Sequence, residues 1–164
     1  MEPVPVCHSL RQLFSGSTEH AFLAELGLAD TKLVDYLSEM LARFVRSDAL
    51  YAATDRSGRP IQQLAAMAQA AELSDLRGHP RREAFRHVGD FALFWAGLYP
   101  ESFRERRATL ATYCETGRRS YYVASTYVET PDEAKEAPVL RTLAEEFDAC
   151  VRGLNLVSVG WRAA

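Results

Sequence analysis

The chain has 164 residues, 48% hydrophobic and 25% charged, with a formal net charge of −3. This length fits a single domain whose core needs no disulfide or metal staple, and the apolar content excludes a disordered chain. The apolar uncharged run at residues 91–100 is too short to span a bilayer, and the start MEPVPVCHSL lacks the basic, apolar and small-residue succession of a secretory signal.

Pro3 and Pro5 predict an extended arm over residues 1–16, tacked to the body by Leu10, Leu13 and Phe14. A first helix is expected from Ser17 or Thr18, either of which can cap free backbone N–H groups, through Phe22, Leu23 and Leu26 to Gly27. A second spans residues 30–46. Leu33, Val34, Leu37, Met40, Leu41, Phe44 and Val45 recur at helical spacing on its core face, with Asp35, Glu39, Arg43 and Arg46 opposite, toward solvent. Residues 54–60 read as a loop, and Pro60 opens a third helix with a shallow stripe of Ile61, Leu64, Met67, Ala68 and Ala71.

After a break at residues 77–80, a fourth helix is expected over 81–98. Its second half, FALFWAGL, is apolar on every side, as a central buried helix would be. Pro100 ends it and opens a short fifth segment through Phe103 and Arg107. A sixth helix, residues 108–128, aligns Leu110, Tyr113, Cys114, Gly117, Tyr121, Ala124 and Val128 in a seam, and Gly117 there suggests a close helix crossing. Residues 129–138 read as an acidic linker. A last helix over 139–153 carries Leu140, Leu143, Phe147, Cys150 and Leu154, and residues 155–164 form a tail packed on the bundle through Trp161. The pattern predicts an all-α single domain, a bundle of about six to seven helices around one buried hydrophobic helix.

The net charge hides an uneven distribution. Residues 1–76 carry 6 basic and 10 acidic side chains, residues 77–119 carry 9 and 5, and residues 129–148 carry 2 and 7. Arginine supplies 17 of the 19 basic residues, which suits bidentate grip on an anionic ligand. Its scatter over several helices also fits the codon bias of a GC-rich genome. A +4 segment without interleaved aromatics argues against a nucleic-acid surface. Cys7, Cys114 and Cys150 form no C-x-x-C pair, so zinc and a disulfide scaffold are not expected, and a reduced, cytoplasmic setting is the default.

One polar cluster interrupts the central helix: Glu83, Arg86, His87 and Asp90 share a side of its first turns. Asp90 falls at the edge of the apolar half, where a carboxylate must be paired. Arg86, four residues earlier, is the local candidate, with Tyr113 or Tyr121 as donors from the seam. The plain reading is a polar knot that fixes how the helix docks. The functional reading is a ligand pocket in which Arg86 takes an anionic group while His87 and Asp90 hydrogen-bond or transfer a proton. Glu83, His87 and Asp90 could supply three metal ligands, but the paired Glu-x-x-His motifs of di-iron bundles are absent, and no metal or cofactor is expected. P-loop and nucleophile-elbow motifs are absent too.

The stretch RREAFRHVGDFALFWAGLYPESF, followed by Tyr113, Gly117 and Tyr121, resembles a pattern in an uncharacterised bacterial family of all-helical proteins. The matching positions are Arg86, Gly89, Asp90, Leu93, Phe94, Gly97, Tyr113, Gly117 and Tyr121, with RFVRSDALY at residues 43–51 similar in the same context. The resemblance implies a helical fold and brings no activity with it. Arg82 and His87, with four residues between them, also resemble the Arg…His pair of metal-independent HEPN ribonucleases, which act on RNA across a dimer interface. The expected function is therefore a non-enzymatic domain that binds a protein partner or a small anionic ligand through Arg86, His87, Asp90, Tyr113 and Tyr121. The alternative is a HEPN-like ribonuclease using Arg82 and His87. No membrane partner is expected, and a homodimer is left open.

Overall fold

The computed structural model describes residues 16, 18–25, 27, 30–46 and 59–163, and among these every regular element is helical. A π-helical segment, His20–Glu25, precedes α1 (Thr31–Arg46), α2 (Arg59–Leu73) and α3 (His79–Leu98). A 3-10 turn, Pro100–Phe103, leads to α4 (Arg107–Ser125), α5 (Pro131–Glu145) and α6 (Phe147–Ala163). Among the described residues no helix is long and apolar enough to cross a membrane. Residues 1–15 of the expected N-terminal arm, Cys7 among them, and residues 54–58 of the expected 54–60 loop lie outside the described residues, while residues 59 and 60 already belong to α2.

The central helix is α3, as its composition requires. Every residue from Val88 to Leu98 is buried, and α1, α2, α4 and α6 all lie against it. Each fully enclosed leucine or phenylalanine, such as Leu93 or Phe94, contributes about 2 kcal/mol of burial. Two glycines set how closely α4 approaches. A Cβ at Gly89 would meet the Tyr121 ring at 2.8 Å, and one at Gly117 would overlap the Phe147 ring and press on Ala92. Gly117 thus marks a close crossing, and the seam Tyr113, Cys114, Gly117, Tyr121 and Ala124 is buried along its length.

The ends of the elements differ from the sequence expectation in physically telling ways. Asp90's helix starts two residues early, at His79. Its neighbour α1 starts after Asp30, whose Oδ1 accepts the Leu33 N–H at 3.1 Å. The acidic "linker" is the first half of α5. Thr130 accepts the Glu133 N–H at 3.1 Å while Glu133 Oε2 accepts the Thr130 N–H at 3.4 Å, a reciprocal cap followed by Pro131 and Asp132 in the first turn. Acidic residues there face the positive end of the helix and favour it. The expected single last helix is really two, broken at Glu146, whose turn drives the fully buried Phe147 into the space that Gly117 leaves. The residues read as a tail continue α6, with Val157 and Ser158 in the core; the Trp161 side chain lies outside what is described. Val128 falls beyond the end of α4 and is exposed rather than part of the seam.

Candidate functional site

Asp90 is the centre of the cluster. Its carboxylate is 1% exposed and accepts three hydrogen bonds from two other helices. Tyr36 of α1 and Tyr121 of α4 both donate their hydroxyls to Oδ1 at 2.7 Å, and Arg43 of α1 donates Nη2 to Oδ2 at 2.6 Å. Charge-assisted bonds of this length are the strong kind, and together they meet the requirement that a buried carboxylate be paired. Burial, and next the Asp90 charge, push the Tyr36 and Tyr121 hydroxyls well above the ordinary tyrosine value. Both phenols therefore stay protonated and remain donors.

The partner of Asp90 is thus Arg43 rather than Arg86, a correction with a geometric cause. Arg86 turns instead to Glu83, giving Nε at 3.1 Å and Nη2 at 2.6 Å to the same Oε2. Residues three apart on a helix stand nearly above one another, and Glu83 is reached without entering the core. Burial works against the Arg86 charge, yet Tyr36, Asp90 and Glu83 outweigh it and hold the guanidinium firmly protonated. Glu83 in turn stays below the usual carboxylate range: burial opposes this, and the Arg86 bond and charge overcome it.

Arg82, one residue before Glu83, is 4% exposed and bridges α3 to α5, with Nη1 on Glu83 Oε1 at 2.6 Å and Nη2 on Glu136 Oε1 at 2.7 Å. A second bridge joins the starts of the same helices, His79 Nδ1 to Glu133 Oε1 at 3.2 Å. Glu133 is held low despite burial by the His79 contact and the N–H groups of Thr130 and Glu129.

The candidates divide into an enclosed set and a rim. Asp90 and Tyr121 are sealed in the knot. Tyr113 is equally buried, but it lies two helical turns from Tyr121, its ring against Phe103 at 4.9 Å, and its hydroxyl has no partner among the described residues. The structure therefore does not bring Tyr113 to Asp90. His87 stands at the surface, its ring stacked on Phe44 at 6.0 Å. Arg82 and His87 are five residues apart, roughly 140° around the helix. One is buried between two glutamates and the other faces solvent, so they do not converge. Among the described residues no three His, Cys, Asp or Glu side chains gather in a metal-holding group.

Sequence reasoning missed Tyr36, Arg43 and Glu136. Tyr36 and Arg43 are seven residues apart on α1, which is two turns, so a polar line through that helix was visible in principle. Nothing local marked Arg43 as inward-reaching, because its side chain is 44% exposed and only the tip meets Asp90.

No family model, no curated protein and no solved structure matches this chain.

Proposed function

We propose that the chain is a non-enzymatic helical binding domain. Its recognition edge lies where α1 meets α3, with Arg43, Arg86 and His87 on the rim and Asp90, Tyr36 and Tyr121 as the rigid support behind them. One observation carries this reading: Arg43 is fixed at one nitrogen by a buried carboxylate while 44% of its side chain stays exposed. An arginine held this way keeps its planar fork oriented, so little rotamer freedom is lost when it grips an anionic group. Asp90, Tyr113 and Tyr121, first considered as contact residues, are too enclosed to touch a ligand directly. Asp90 and Tyr121 act through Arg43.

The test is a nuclear magnetic resonance footprint of the full chain, purified with whatever it carries and then stripped of it. The expected result is that backbone signals of Arg43, Arg86 and His87 move on stripping and return on readdition. Changes confined to another surface, such as exposed Leu156 and Val159 of α6, would overturn the assignment. The ribonuclease alternative requires Arg82 to leave Glu83 and Glu136. Incubating RNA with the protein and with an Arg82→Ala, His87→Ala variant decides it, since equal or absent cleavage ends that reading.

A further inference from the structure

Phe44 of α1 is wedged into α3. His87 stacks on it at 6.0 Å between ring centroids with 12° between planes, and Phe94 at 4.9 Å with 17°. His87 and Phe94 lie two turns apart on α3, about 10 Å of rise, so they meet the Phe44 ring from separate turns of that helix. The Arg43 guanidinium carbon also sits over that ring, 5.8 Å from its centroid. Arg43 and His87 therefore both border the Phe44 ring. Arg43 uses a single nitrogen on Asp90, and among the described residues its remaining N–H groups and both His87 nitrogens have no hydrogen-bond partner.

We propose that Arg43 and His87 form a two-armed site for a small-molecule oxyanion, a carboxylate or a phosphoryl or sulfuryl group, which fills when His87 is protonated. This rests on the binding reading above and adds to it the ligand class and the control. The charge arrangement explains the control. Arg43 is offset by Asp90 and Arg86 by Glu83, so with a neutral His87 an incoming anion meets almost no net charge. Protonation of His87 supplies both the positive charge and a second donor.

Among the described residues, the groups facing His87 are Arg43 from α1 and Arg86 and Asp90 from α3 itself. Burial holds the imidazole below its ordinary value, Asp90 resists that, and Arg43 and Arg86 add to it. A bound anion is the counterion that would reverse this balance, so binding takes up a proton and strengthens as pH falls through the His87 titration.

The experiment titrates the full chain with sodium sulfate and with sodium acetate at about pH 5.5 and about pH 7.5, where each anion keeps its charge, following the His87 ring and Arg43 Nε–H resonances. The expected result is affinity about tenfold tighter at the lower pH, as one added charge at partly exposed contact allows, together with an upward shift of the His87 titration when sulfate is present. His87→Gln should keep weak binding and lose its pH dependence, while His79→Gln should change neither. Because the wild-type titration shift needs no variant, it stands even if His87→Gln folds poorly. Equal affinity at both pH values, or pH dependence that survives in His87→Gln, overturns the control by His87 and leaves the binding edge intact. If neither anion moves either resonance at either pH, the oxyanion site is wrong, and the footprint experiment alone then decides the broader reading.

Discussion

Among the described residues, two carboxylates are almost out of contact with water, Asp90 at 1% exposure and Glu133 at 3%, and they are satisfied in opposite ways. Glu133 is served mainly by its own neighbourhood: the N–H groups of Glu129 and Thr130 reach Oε2 within one turn, and only His79 comes from afar. Asp90 takes nothing from its neighbours in sequence. Its three donors are 31, 47 and 54 residues away. The first arrangement starts a helix, and the second fixes the relative position of three helices. A local cap can therefore be lost with a frayed turn, whereas loss of the Asp90 contacts leaves a charge or its partners stranded in the core.

Asp90→Ala should produce the largest effect. Breaking a buried pair strands Arg43 and two phenols and costs about 3–5 kcal/mol, read as a shift in the urea midpoint with little change in slope. Survival of the variant with a loss under about 1 kcal/mol would put Asp90 on a par with a surface residue and erase the contrast.

The phenols give a pH test with a definite sign. Tyr36 and Tyr121 have raised values in the folded state, so the folded chain holds those protons longer than the unfolded one. Their contribution is complete below the ordinary tyrosine value of about 10 and is lost as pH rises beyond it. With two such groups, stability should fall by up to about 2.7 kcal/mol per pH unit in alkali. A Tyr36→Phe, Tyr121→Phe variant should be less stable at neutral pH, by about 1 kcal/mol for each hydroxyl removed, and should show a much flatter alkaline limb. An unchanged limb would mean that other groups control alkaline unfolding.

The smallest effect belongs to the local cap. Thr130→Ala removes one side-chain acceptor at the start of α5 and should cost about 1 kcal/mol, with faster amide exchange limited to the first turn of that helix. A loss as large as that of Asp90→Ala would show that the two carboxylates do not differ in kind.

The same contrast explains what could be read from the sequence. The apolar periodicity of α1 and the all-round apolar half of α3 announced the core and its central helix. Gly117 announced the close crossing that Phe147 now fills. The start of α5 was also written locally, as Thr130-Pro131 followed by Glu133, but the density of acidic residues there disguised a helix start as a linker. Asp90 was identifiable as a residue needing a partner, because a carboxylate stood in an apolar stretch. The partner itself was not, since choosing between Arg86 and Arg43 depends on how α1 crosses α3, and helical spacing favours the nearer residue. Tyr121 was recognisable from its place in the seam, while Tyr36 sat unremarked among α1 residues that looked like ordinary core.

The most direct measurement of this account is a pair of double-mutant cycles on stability, one joining Arg43→Gln with Asp90→Asn and the other joining Arg86→Gln with Asp90→Asn. The expected result is a coupling of about 2 kcal/mol for Arg43 with Asp90 and a clearly smaller one for Arg86, whose guanidinium is committed to Glu83. A larger coupling for Arg86 than for Arg43 would contradict it.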